Sequence, residues 1–203
     1  RMMRELSGVQ GSQEWLSARA KCFTASEAPA MLGLSKYQTR TELLRQKATG
    51  IIPEVDAGTQ RLFDRGHQVE ALARPIVEAR ISEELFPVTA TDDAGRLLAS
   101  FDGISMLGDV IWENKSFNME FANHITTTGD IPDTHWPQVE QQLLISGAKK
   151  AYFTVSDGTE AGTIGIWYES KPERRQQLLA GWEQFAKDLA AYVPEEVKPA
   201  IVP

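Results

Sequence analysis

At 203 residues, 42% hydrophobic and 24% charged with no biased tract, the chain is long enough to bury one sizeable core and has a globular composition. Its 28 acidic against 21 basic residues leave a net charge of −7, which argues against broad electrostatic binding to nucleic acid; DNA or RNA would have to meet positive charge gathered in a groove or carried by bound cations. No apolar run reaches the roughly 18 residues of a membrane span, no signal pattern opens the chain, and the single cysteine, Cys22, excludes an internal disulfide and fits a reducing cytoplasm.

Arg1 ahead of Met2 reads as a cloning remnant, and the rest, with no repeat or linker-like stretch, as a single domain over residues 1–203. In "TASEAPAMLGLS", Thr24 stands three residues before Glu27, the capping-box spacing, and Gly33 supplies a stop; a short helix is expected near 25–32. "RTELLRQKATG" reads as a second helix ending near Gly50. "DRGHQVEALARPIVEARIS" sets Val69, Leu72, Ala73, Ile76 and Arg80 at helical spacing, with Pro75 expected to kink it. Residues 86–92 read as extended, and "RLLASFDGIS" and "DVIWENKSF" as strands joined around Leu107-Gly108. "FANHITTTGDIPD" reads as a loop, and "THWPQVEQQLLISG" as a helix closed by Gly147 with Trp136, Val139 and Leu143 on one face. "AYFTVSDG" and "TIGIWYES" make a second strand pair. The final helix, "ERRQQLLAGWEQFAKDLAAYV", is expected to bury Leu178, Leu179, Trp182, Phe185 and Leu189. Helices before and after a central sheet place the fold in the α/β (α+β) class.

The first strand pair carries charges that burial does not explain. With Leu107-Gly108 as a two-residue turn, Asp102 falls directly opposite Glu113, where Cβ atoms on one face stand roughly 4.5–5.5 Å apart. Lys115, two residues on, shares that face. Opposed carboxylates repel and call for a counter-charge, for which a hard divalent cation such as Mg²⁺ or Mn²⁺ is the natural candidate. A surface salt-bridge cluster is the competing account of the same three residues.

Asp, a gap, then Glu-x-Lys across a hairpin resembles the active-site pattern of the PD-(D/E)xK nuclease superfamily. "WLSARAKCFTASE" (15–27), "RGHQVE" (65–70), "SFDG" with "ENK", and "PQVEQQL" occur in the order found in the phage lambda exonuclease family and are similar to its motifs. The resemblance implies a restriction-endonuclease-like core, a central mixed β-sheet flanked by helices. It implies a Mg²⁺-dependent 5′→3′ exonuclease with two ions per site, Mn²⁺ substituting, acting on linear double-stranded DNA with a 5′ phosphate. The product would be a 3′ overhang for a single-strand annealing protein in phage-type recombination. A ring-shaped homotrimer around DNA is implied as well, as is a phage or prophage origin in a bacterial cytoplasm with no membrane partner.

Residue by residue, the resemblance makes Asp102 and Glu113 metal-binding acids, the Asn114 carbonyl a backbone ligand, Lys115 the catalytic lysine and Glu70 the acid of a second metal. It makes Gln138 a member of the catalytic helix, and Arg19, with Ser26, the reader of the 5′ phosphate. Phe101 replaces the proline of the superfamily name, and Glu140 stands where the family often has a second glutamine. Glu70 has another explanation, a helix-surface pair with Arg74 four residues on. Arg19 beside a capped helix start is also an ordinary solvent-facing arrangement. Lys36, Tyr37 and Arg40 suit a DNA channel or a solvated loop equally. His67, His124 and His135 are too scattered for a zinc motif. Two other functions fit the same core: an endonuclease of repair or restriction, and a non-catalytic DNA-end-binding adaptor.

Overall fold

Seven strands form one mixed sheet in the computed structural model, which describes residues 3–8, 11–52 and 54–194. β1 (Arg4–Glu5), β3 (Phe86–Thr91), β4 (Leu97–Ile104), β5 (Val110–Ser116), β6 (Lys150–Ser156) and β7 (Thr163–Tyr168) lie across it in that order, and β2 (Phe23–Thr24) pairs with β4 off this path. The β5–β6 and β2–β4 pairs are parallel and the others antiparallel. A parallel pair needs a crossover, which α5 (Met119–Thr128) and α6 (Trp136–Ser146) provide between β5 and β6. The mixed α/β class expected above is the class observed. Arg1 lies outside the described residues.

Helices cover both faces. On one, α6 and α7 (Pro172–Ala190) enclose Phe101, Ile111, Val139, Phe153, Trp182 and Phe185. On the other, α4 (Ala57–Ile81) packs Ala73 and Val77 against Leu85, Trp112 and Tyr152. Phe23 stacks flat on Trp182 at 4.6 Å, fastening the N-terminal segment to α7. No helix among the described residues is long and apolar enough to cross a membrane.

Four expectations change in detail. Of the segment 121–133, expected as a loop, residues 121–128 belong to helix α5: Asn118 caps it by accepting from Phe121 N, Gly129 closes it in a left-handed conformation, and Phe121, Ala122 and Ile125 are buried. Within its β-branched run, Thr126, Thr127 and Thr128 donate their hydroxyls back to carbonyls four residues earlier. The helix expected at 25–32 divides into a 3₁₀ turn (Ala25–Glu27) and a single α-turn, α2 (Ala28–Met31), with the capping box intact. In α4 the buried column is Val69, Ala73 and Val77, while Leu72 is exposed; the helix also starts earlier, capped by Asp56, and continues through Pro75 on its solvent side. In α7, Leu178, Trp182 and Phe185 are buried but Leu179 is 45% exposed, because only the narrow column of side chains facing the sheet is covered.

α6 is buried on nearly every side, so its polar residues must find protein partners. Gln141 donates to Phe23 O and Leu98 O and accepts from Trp182 Nε1. Glu140 accepts from Tyr168 OH at 2.6 Å, Ser170 Oγ at 2.7 Å and Lys171 N at 2.8 Å, tying α6 to the start of α7.

Asp130, on the connection between α5 and α6, pairs with Arg174 at 2.7 Å and Lys171 at 3.1 Å. Burial opposes its ionisation, but the hydrogen bonds from Arg174 and Lys171 outweigh that and hold its pKa down to about 2. A depressed carboxyl pKa stabilises the fold above the ordinary range near pH 4, and that contribution is lost as pH falls toward 2. Asp130→Asn is therefore expected to lower the melting temperature at pH 7 and to flatten its decline between pH 4 and 2. Parallel melting curves for the two proteins across that interval would count against the assignment.

Candidate active site

The β4–β5 register runs Gly103↔Trp112 and Ile104↔Ile111, the alignment expected from the sequence, although the connection is longer than two residues, with Gly108 N bonded to Ser105 O. The ladder ends at Gly103 and Trp112. On its other side β4 shifts register against β3 between Phe86↔Ile104 and Val88↔Phe101, so Asp102 and Gly103 together oppose Pro87. Proline has no N–H to give a ladder, and two residues against one make a bulge, which re-aims the side chains beside it. Gly103 suits the bulge because a Cβ there would come within 2.7 Å of Leu85 Cβ. Asp102, expected directly opposite Glu113, is thus not its ladder partner; its Oδ2 instead accepts from Asn114 N at 2.7 Å across the gap.

Glu113 projects toward α6 and is 4% exposed. Gln138 Nε2 donates to its Oε1 at 3.0 Å and Gln142 Nε2 to its Oε2 at 2.8 Å. Lys115 Nζ lies 3.2 Å from Oε1, on the shared face that strand alternation requires. Glu70 approaches Asp102 from α4 while also making the expected helix pair with Arg74 at 3.1 Å. The Asn114 side chain is committed elsewhere, accepting from Thr154 Oγ1 at 2.7 Å, which leaves its main-chain carbonyl as its available oxygen ligand.

Negative charge outruns its compensation here. Burial first, then the charge of Asp102, pushes the Glu113 carboxyl up to about 8 against the pull of Lys115. Burial, then a hydrogen bond and the charge of Glu70, raises Asp102 as well. Buried acids that repel one another fit a divalent cation, and the donors are the hard oxygens that Mg²⁺ and Mn²⁺ prefer. Among the described residues no three His, Cys, Asp or Glu side chains form a ready-made cage. The acids could therefore supply only part of a coordination sphere; a divalent cation here would need carbonyl oxygen and water to complete it.

Arg19, at the end of α1 (Gln13–Lys21), donates to Ser26 Oγ at 3.3 Å and stacks over Trp15 at 4.8 Å. Lys47, on α3 (Arg40–Thr49), holds this segment in shape: its ammonium bonds Arg19 O at 3.1 Å, Cys22 O at 2.7 Å and Glu27 at 2.9 Å. Glu27 in turn accepts from Thr24 N and Oγ1. Because the helix expected after Thr24 is only a 3₁₀ turn and one α-turn, an anion bound here would depend on the Arg19 and Ser26 side chains more than on a helix dipole.

Ser26 and Lys115 open onto the same cavity of ≈ 330 Å³, lined also by Lys36, Tyr37, His135 and Gln138. Asp102 and Glu70 line a second depression of ≈ 300 Å³ with Ser100 and Thr89. Arg40 does not join Lys36 and Tyr37, being bound to Asp188 at 2.6 Å. Sequence reasoning missed Gln142, whose spacing of four from Gln138 was a readable sign of a shared helix face, and His135. The His135 ring packs edge-on to Phe121 and Phe153, and burial, then the nearby Lys115 charge, lowers its pKa to about 4.

The family model described as "YqaJ-like viral recombinase domain" matches residues 14–149. Among solved structures, LHK-Exo in complex with dAMP is 20% identical with a TM-score of 0.72, over 89% of this chain and 93% of that one. The alkaline exonuclease LHK-Exo from Laribacter hongkongensis, also 20% identical, superposes with a TM-score of 0.68 over 89% of this chain and 95% of that one. A phage-related exonuclease from Haemophilus somnus 129PT, 10% identical, does so at 0.57 over 84% and 95%. These structural likenesses show a common fold. No curated protein sequence matches the chain.

Proposed function

The chain belongs to the family of YqaJ-like viral recombinase domains, which indicates a nuclease of recombination, and from that premise we propose a Mg²⁺-dependent 5′→3′ exonuclease of linear duplex DNA that leaves 3′ overhangs. The observation that carries the reading is the shared cavity: Ser26, which accepts from Arg19, and Lys115, whose ammonium lies 3.2 Å from the buried Glu113, line one space. An exonuclease that starts at a phosphorylated 5′ end needs an anchor for that phosphate within a nucleotide of its reacting groups.

Bound at Asp102, Glu113, Glu70 and the Asn114 carbonyl, one or two Mg²⁺ ions, or Mn²⁺ in their place, would supply charge relief at the phosphate and an activated water. The protein's own groups do the rest. The Arg19 guanidinium holds the terminal phosphate with two donors, and the Ser26 hydroxyl adds a third. Lys115 offers a positive charge and a proton where oxygen charge develops at the scissile bond. Gln138 fixes the Glu113 carboxylate, and His135, kept neutral by its burial, lines the cavity beside Lys115. On the same reading the protein acts as a ring-shaped homotrimer around the duplex and passes its overhang to a single-strand annealing protein.

A linear duplex labelled at either terminus, incubated with Mg²⁺ or with chelator, tests this. Label release first from a phosphorylated 5′ end, only with Mg²⁺, is the expected result; cutting of closed circular DNA would move the assignment to an endonuclease. Arg19→Ala is expected to shrink the preference for 5′-phosphorylated over 5′-hydroxyl ends by about 10- to 100-fold, the worth of a hydrogen-bonded charge pair. An unaltered preference would leave Arg19 without that role.

A further inference from the structure

We propose that Gln142 is a positioning residue that holds Glu113 in its cation-binding orientation; this rests on the metal-dependent reading above. Its amide nitrogen donates to Ser100 O on β4 at 3.1 Å and to Glu113 Oε2 on β5 at 2.8 Å. These are the two strands whose ladder ends at Gly103 and Trp112, so one side chain spans the gap that the ladder leaves. Both neighbours are acceptors, which requires the nitrogen, and not the oxygen, to face them.

That orientation leaves Gln142 Oε1 buried with no hydrogen-bond partner among the described residues. An orphaned buried acceptor destabilises a fold, and an unbranched apolar side chain would fill the same space without that cost. Such a side chain would, however, leave Ser100 O and Glu113 Oε2 without this donor. What only a donor can supply is the hydrogen bond to Oε2. Gln138, one helical turn earlier, supplies the matching bond to Oε1. With each oxygen tied to one amide, the carboxylate plane is set, and Lys115 meets Oε1 from another direction. Hydrogen bonds that orient a ligand from behind are commonly worth 10- to 100-fold in metal affinity or activity.

Calorimetric titration of Mn²⁺ into the unmodified protein, Gln142→Met, Gln142→Asn and Glu113→Gln, with melting curves in chelator, tests the proposal. Gln142→Met is expected to melt below the unmodified protein, because Ser100 O and Glu113 Oε2 lose a donor, and to bind Mn²⁺ about 10- to 100-fold more weakly. Gln142→Asn, which keeps the amide but withdraws it by one methylene, should weaken binding in the same way and serves if the methionine variant does not fold. Adding either change to Glu113→Gln should cost nothing further, because the carboxylate they position is gone. Unchanged Mn²⁺ affinity in a folded Gln142 variant overturns this inference and leaves the metal reading standing. No Mn²⁺ binding by the unmodified protein overturns the metal reading and this inference with it.

Discussion

Lys115→Ala is expected to reduce cleavage of a linear duplex by about 10²- to 10⁴-fold, the range for loss of one positioned proton donor or charge-stabilising group. The fold should survive, because Lys115 is partly exposed to the cavity and its one ion pair is with Glu113 at 3.2 Å. Binding of Mn²⁺ should be unchanged or tighter, since the ammonium that competes for Glu113 Oε1 is gone. The separation of these two readouts is the point of the experiment. Single-turnover cleavage and metal titration on the same preparation check it; a variant that cuts at the original rate would remove Lys115 from the chemistry. A variant that loses metal and activity together would make it a structural support of Glu113.

Lys47→Met is expected to destabilise the protein by about 3–5 kcal/mol, the cost of leaving one partner of a buried ion pair without the other. Lys47 and Glu27 are 8% and 11% exposed, and the ammonium also satisfies the carbonyls of Arg19 and Cys22. All three partners belong to the segment that presents Arg19 and Ser26. Denaturant unfolding should show the loss of stability, and the fraction that remains folded should have lost preference for 5′-phosphorylated ends. Lys47→Arg, which keeps the charge, should recover part of the stability. A methionine variant as stable as the original would mean that water, not Lys47, satisfies Glu27.

The residues that the hairpin brings together were legible because motifs are local. Asp102, Glu113 and Lys115 lie on one hairpin whose register follows from its turn, and that register is the one observed at Gly103↔Trp112. Arg19 and Ser26 lie seven residues apart and meet at 3.3 Å, as the motif "WLSARAKCFTASE" implied. The missed helix α5 also had its local signs, Asn118 and Gly129 at its two ends, but the β-branched run between them outweighed those signs in a reading of propensity alone. Leu72 and Leu179 were misplaced for a different cause: a helical stripe shows which residues share a face, not how wide a strip the sheet covers.

Element types, the mixed α/β class and the residues of the hairpin motif were set by the amino-acid sequence itself, through helical and strand periodicity, caps and turns that act within a few residues. The tertiary structure alone decided that Pro87 forces a bulge at Asp102, that Glu70 serves Arg74 and Asp102 at once, and that Gln142 reaches both β4 and β5. It also decided that Glu140 binds α7 and stays out of the acid cluster. Each of these depends on contacts between segments far apart in the chain, where packing and hydrogen-bond satisfaction select one partner among several that local pattern allows.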